Sequence, residues 1–150
     1  MIIKIKYKEG VEEIKQAHPF EWYDLRAAED VFIPYNEYKK IPLGVAMQLP
    51  EGYEAHVVPR SSTFEKYGII FVNSIGVIDN KYCGDNDYWS FPAYCLKAFT
   101  FENGRYGSKI MKNERICQFR IVPIQPEITF EKVEHLQNED RKGFGSTGWK

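Results

Sequence analysis

At 150 residues, 43% of them hydrophobic and 15% aromatic, the chain is long enough for one domain with its own core. Its formal charge of −1, from 20 basic and 21 acidic side chains, leaves no global positive field to hold nucleic acid, though a local anion site stays open. No apolar run is long enough to span a membrane, and Cys83, Cys95 and Cys117, odd in number and without CxxC spacing, argue against zinc or a disulfide framework; they read as small buried side chains in a reducing, cytoplasmic compartment.

The chain opens on MIIKIKYKEG, where Ile3, Ile5 and Tyr7 alternate with Lys4, Lys6 and Lys8, which predicts a half-buried strand rather than a signal peptide. Val31–Ile33 and Ile41–Leu49 are further strand candidates, punctuated by Pro34, Pro42 and Gly44 and followed by a turn at Pro50-Glu51-Gly52. Tyr53–Val58 reads as a strand. Ser61–Tyr67 reads as a short helix with Ser61 or Ser62 as its cap and Gly68 as its stop. Ile69–Val72 and Ile75–Ile78 follow. Tyr88–Phe99 is aromatic and apolar, with Pro92 arguing against a regular central strand throughout. Arg115–Val122 and Ile128–Val133 complete the expected core. Many short strands with frequent turn signals predict an all-β sandwich or barrel without repeats or a linker.

Two stretches carry chemistry. Asn73–Asp85 (NSIGVIDNKYCGD) predicts a tight apolar hairpin that lifts Asp79 to its tip, with Tyr82 three residues on. A carboxylate on a stiff turn can activate a water, and the ring can pack on a flat sugar or base; a plain surface hairpin explains the same residues equally well. In Val58-Pro59-Arg60-Ser61-Ser62-Thr63, Arg60 offers a planar fork of donors, Ser61 a hydroxyl, and the Ser62 N–H a helix-start anion contact. Taken alone, a helix cap beside a surface arginine is the better reading.

Three more blocks shift that balance. They are Glu21-Trp22-Tyr23-Asp24-Leu25-Arg26-Ala27, Asn113-Glu114-Arg115-Ile116-Cys117-Gln118-Phe119 and Asp140-Arg141-Lys142-Gly143-Phe144-Gly145-Ser146-Thr147-Gly148. All five blocks, in this order and spanning roughly residues 21 to 148, resemble the trimeric dUTPase family, with wording nearest the branch of Gram-positive bacteria and their phages. The resemblance implies a distorted jelly-roll β barrel (the dUTPase-like β-clip), a homotrimer with active sites at subunit interfaces, and one domain whose residues 135–150 form a mobile C-terminal arm. It implies hydrolysis of dUTP to dUMP and pyrophosphate, assisted by Mg²⁺, through in-line attack of a water on the α-phosphorus.

The residue roles it implies are as follows. Asp79 is the catalytic carboxylate and also contacts the sugar 3′-hydroxyl. Tyr82 packs on the deoxyribose and excludes a 2′-hydroxyl by clash. The backbone around Asn73, Gly76 and Ile78 reads the uracil edge. Arg60, Ser61, Ser62 and Gln118 bind phosphate, and Arg60 also orients Asp79. Asp24 holds the waters of the Mg²⁺ ion. On the arm, Arg141 binds the γ-phosphate, Phe144 stacks on uracil, and Gly145, Ser146 and Thr147 wrap the phosphates.

The chain departs from the family pattern in places. Asn113-Glu114 stands for the usual Gly-Asp, so Glu114 and Arg115 read as structural. The Arg141–Phe144 spacer is two residues short, and Lys142 replaces a glycine. Trp89 and Phe91 in the aromatic run Tyr88–Phe91 read as packing, with Phe144 preferred as the lid. Two other functions stay open: a dCTP deaminase, which shares the fold but has no use for the Asp79/Tyr82 pair, and a phage regulatory protein that binds a repressor through the nucleotide site.

Overall fold

The computed structural model describes residues 1–15 and 18–140. In chain order the strands are β1 (Lys4–Tyr7), β2 (Tyr23–Arg26), β3 (Val31–Pro34), β4 (Tyr38–Pro42), β5 (Val45–Gln48) and β6 (Tyr53–Pro59). The one helix, α1 (Thr63–Tyr67), precedes β7 (Ile69–Phe71), β8 (Gly76–Ile78), β9 (Ser90–Cys95), β10 (Phe99–Thr100), β11 (Tyr106–Ile110) and β12 (Arg115–Pro123). They form four small antiparallel sheets, ordered β1-β5, β10-β11-β3, β2-β12-β6-β8 and β4-β9-β7, in the expected all-β, jelly-roll-like arrangement. No helix among the described residues is long and apolar enough to cross a membrane.

The core sits between the sheets, where Leu25, Ile33, Ile41, Leu43, Ile69, Trp89, Phe91, Ile110 and Ile116 are fully buried. Phe91 stacks on Phe71 at 4.6 Å between ring centroids, and Trp89 meets Phe119 edge-on at 5.4 Å. At 1% and 0% exposure, Trp89 and Phe91 are packing residues, as the sequence predicted, and have no free face to cover a base. Strand β1 also behaves as its alternation predicts, with Ile5 and Tyr7 half-buried and Lys4 and Lys6 exposed.

Several expectations need correction. The span Ile41–Leu49 is two strands in two sheets, because the chain turns at Gly44 with φ +65°, where a side chain would press on Val11 and Ala28. Pro92 lies in β9, the central strand of its sheet. It faces Lys40 on β4, and its carbonyl accepts from the Val72 N–H just past the end of β7 (3.0 Å). The donor it lacks would serve only that last rung, so the ladder loses little. Residues Ile128–Val133 form no strand and are exposed, Phe130 almost wholly so. Strands β2, β10 and β11 were not predicted. Finally, Asn73–Asp85 is not a hairpin: β8 pairs only with β6, and the next strand, β9, joins another sheet.

Candidate functional site

The local fold of Arg60–Tyr67 is set by a side chain the sequence did not single out. Ser62 is the cap residue of α1, but its hydroxyl makes no capping bond, and Ser61 makes none either. Thr63, 1% exposed, does the work instead. Its Oγ1 accepts from the Arg60 N–H (3.0 Å) and donates to the Ile116 carbonyl (2.8 Å), tying the end of β6 to β12. Gly68 closes the helix at φ +69°, its N–H donating to the Phe64 carbonyl (2.7 Å).

Side by side on the sheet lie Asp24 of β2, Gln118 of β12 and Val58 of β6, in register. Above this row Asp24 gathers two guanidinium groups: Arg60 Nε at 2.8 Å on one carboxylate oxygen and Arg115 at 3.2 Å on the other. Arg115 was expected to be structural; it stands in the site, aimed there by the bulge between Arg115 and Cys117 that reorients the start of β12. Glu114 is structural as expected, pairing with Lys66 (3.0 Å) and accepting from the Met111 N–H (2.9 Å). Gln118 donates to the Pro59 carbonyl at 3.3 Å. With Ser61, Lys15, Glu21 and Trp22, these side chains line an open cleft of about 570 Å³. Beneath it, burial pushes the Cys117 thiol well above its ordinary pKa, and the Asp24 charge adds to the rise.

The residues expected to read the sugar and base lie elsewhere. Ile78 faces Ala55, and Gly76 faces Val57, where a Cβ would press on the Phe71 ring. Asp79 follows Ile78, exposed, its Oδ1 accepting from the N–H groups of Lys81 (2.7 Å) and Tyr82 (3.1 Å). The Tyr82 hydroxyl donates to the Tyr88 carbonyl at 3.4 Å. Asn73 is exposed, and Val72, Ile75 and Val77 beside it leave apolar surface uncovered.

These two groups do not meet within one chain. Asp24 is on β2 and Asp79 follows β8, the opposite edges of the same four-stranded sheet. Asp79 stands near the start of β6 and Arg60 just past its end, a span of roughly 20 Å at ~3.3 Å per residue. The expected contact of Arg60 with Asp79 is therefore absent in a single chain, and Arg60 binds Asp24 instead. Arg141, Phe144, Gly145, Ser146 and Thr147 lie outside the described residues. Cys83 is exposed, contrary to expectation, whereas Cys95 and Cys117 are buried.

Comparison with known proteins gives one answer. The dUTPase family model matches residues 18–148. The chain is 54% identical over 151 residues to the SPbeta prophage-derived deoxyuridine 5′-triphosphate nucleotidohydrolase of Bacillus subtilis, with the whole of both chains covered. It is 36% identical over 133 residues to the deoxyuridine 5′-triphosphate nucleotidohydrolase of Maricaulis maris, covering 85% of this chain and 80% of that one. Among solved structures, a Staphylococcus bacteriophage 80alpha dUTPase variant with dUpNHpp aligns at a TM-score of 0.77 and 25% identity over 98% of each chain. The Streptococcus mutans dUTPase aligns at 0.70 and 21% identity, over 83% of this chain and 98% of that one, a likeness of fold.

Proposed function

This chain belongs to the dUTPase family, and we propose that its working active site joins two copies of the chain. The enzyme hydrolyses dUTP to dUMP and pyrophosphate. The observation that carries the two-copy reading is the separation of Asp79 and Tyr82 from Arg60, Ser61 and Gln118 at opposite edges of one sheet. One copy supplies the half that reads uracil and deoxyribose, and its neighbour supplies the phosphate cleft. Two features support assembly: the apolar surface at Val72, Ile75 and Val77 beside Asp79, and Ile128, Phe130, Val133 and Leu136, uncovered on the exposed segment that leaves the barrel after β12. The homotrimer of the family closes such a ring of heterologous contacts.

In this arrangement the Asp79 carboxylate takes a proton from water and holds it in line with the α-phosphorus, and the pyrophosphate leaves on the opposite side. The Lys81 and Tyr82 N–H groups already occupy one of its oxygens, which leaves the other for the water. Arg60, Ser61, Ser62 and Gln118 meet the phosphate oxygens where charge develops. The Tyr82 ring excludes a ribose 2′-hydroxyl, and backbone at Asn73, Gly76 and Ile78 reads the uracil edge. The C-terminal arm brings Arg141, Phe144, Gly145, Ser146 and Thr147 over the ligand.

Magnesium fits this site only as an ion carried by the triphosphate. No group of three metal-binding side chains exists among the described residues, and both Asp24 oxygens are engaged by guanidinium groups, so Asp24 would meet the ion through its water shell. When bound, Mg²⁺ supplies charge neutralisation on the phosphate oxygens. A phage phi11 dUTPase of 20% identity is described with a structural Mg(II) ion.

The test is pyrophosphate release from dUTP, dCTP, dTTP and UTP, with Mg²⁺ and with chelator. Release from dUTP alone, lost on chelation, is expected; release from UTP at the same rate would remove Tyr82 as the sugar filter. Asp79→Asn should bind dUTP normally and turn over at least about a hundredfold more slowly. Normal turnover would take Asp79 out of the mechanism. The 80alpha phage dUTPase is described as controlling transfer of virulence genes by a G protein-like mechanism. If this chain has such a role through its nucleotide site, dUTP will compete with a captured repressor for it.

A further inference from the structure

The structure assigns Lys15, outside all five sequence blocks, to the binding of the β- and γ-phosphates of dUTP. The inference rests on the two-copy site described above.

Lys15 lies in the irregular segment after β1, and backbone bonds at Val11, Glu12 and Ile14 anchor that segment. Val11 N–H donates to the Lys8 carbonyl (3.2 Å), Glu12 N–H to Asn113 Oδ1 (2.9 Å), and Ile14 N–H to the Tyr7 hydroxyl (3.1 Å). The Glu12 carboxylate pairs with Arg26 at 3.1 Å, and the Ile14 side chain packs against the core. The last of these anchors is Ile14, the residue before Lys15. It lines the same cleft as Asp24, Arg60, Ser61, Arg115 and Gln118.

The charges of that cleft explain what Lys15 adds. Its lining holds three cations, Lys15, Arg60 and Arg115, and two carboxylates, Glu21 and Asp24, a balance of one positive charge. Arg60 and Arg115 are each already paired with Asp24, one per oxygen, whereas Lys15 forms no ion pair among the described residues. The two guanidinium groups share the single charge of Asp24, Lys15 offsets Glu21, and removing the Lys15 charge would leave the lining neutral. A cleft that must take a phosphate chain needs that excess, because it both attracts and holds the polyanion.

The position of Lys15 sets which phosphates it meets. Asp79 of the neighbouring copy reaches the α-phosphorus, and Ser61 and Gln118 cluster with Arg60 by the end of β6. Lys15 lines the cleft with Glu21 and Trp22, and with the α-phosphorus served by these other groups, the phosphates left to it are the two that leave as pyrophosphate. An ammonium group on a long stem suits that task, since it can follow the pyrophosphate as a point charge without fixed bidentate geometry.

The test compares the intact enzyme with Lys15→Gln and Lys15→Arg, in Mg²⁺, at low salt and near 0.15 M salt. For Lys15→Gln, the KM for dUTP and the Kd for its non-hydrolysable α,β-imido analogue should each rise about five- to tenfold. The Kd for dUMP, which lacks both distal phosphates, should change less than about twofold. The loss should be larger at low salt, and Lys15→Arg should restore most of it. Unchanged analogue binding would overturn the assignment, and so would equal weakening of dUMP and analogue, which would place Lys15 on the shape of the cleft. Failure of the unaltered enzyme itself to bind the analogue would instead sink the diphosphatase site on which the inference stands.

Discussion

At the scale of the residue, the site depends on buried partners as much as on the groups that face the ligand. Thr63 satisfies both the Arg60 N–H and the Ile116 carbonyl from a buried position. Thr63→Val keeps the shape but strands both backbone groups, which should cost about 1–3 kcal/mol in chemical unfolding and raise the KM for dUTP by loosening Arg60. Unaltered stability would mean that water replaces the hydroxyl. Burial holds the Cys117 thiol, and less strongly the Cys95 thiol, protonated above the ordinary thiol range, whereas Cys83 is exposed. A thiol reagent at pH 8 should modify Cys83 rapidly in the native enzyme, and Cys95 and Cys117 only after denaturation. Fast labelling of Cys117 would show that the sheet under Asp24 opens readily.

The sequence disclosed these residues unevenly. Asp79, Arg60 and Gln118 could be named because each sits in an ordered block of recognisable spelling. Thr63 could have been found, since a threonine at the first position of a helix, next to a serine cap, is a competing cap. Arg115 could not: only the bulge in β12 turns it toward Asp24, and a bulge leaves little trace in alternation. Lys15 was invisible for another reason. Nothing in its neighbourhood is periodic, and its place comes from tertiary anchors such as Asn113, far along the chain.

At the scale of the element, local pattern found most strands and missed the way they are partitioned. The alternation of β1 and the turn chemistry at Gly52 and Gly68 were readable because they depend on neighbours in sequence. The division of Ile41–Leu49 depends on which sheet each half joins, and β2 is short and lies within a block whose aromatic and charged residues do not alternate cleanly. Pro92 misled because its single lost donor falls at the last rung of the β7–β9 ladder. Gly68 gives an element-scale test. Its φ of +69° and the Lys97 carbonyl, into which a Cβ would collide, leave no room for a side chain. Gly68→Ala should therefore lower stability by about 1 kcal/mol or more in a denaturant titration. A neutral result would mean that the α1–β7 junction shifts without cost.

At the scale of the whole molecule, one chain is proposed to be an incomplete enzyme. Asp24 and Asp79, from the proposed phosphate-binding and base-reading halves, lie at opposite edges of the β2-β12-β6-β8 sheet, and the apolar surface beside Asp79 lacks cover. The proposed assembly could be suggested in the sequence only by the ordered blocks, because composition and periodicity say nothing of which residues share a site across copies. The direct measurement is complementation. Asp79→Asn and Arg60→Gln, each expected to be nearly inactive alone, are co-expressed from differently tagged chains, and mixed oligomers are purified through both tags. If every site takes Asp79 from one copy and Arg60 from another, each mixed trimer holds one intact site, and dUTP hydrolysis should recover to about a third of the unaltered rate. Activity no greater than that of the two variants alone would mean that both halves of a site come from the same chain, and would contradict the account.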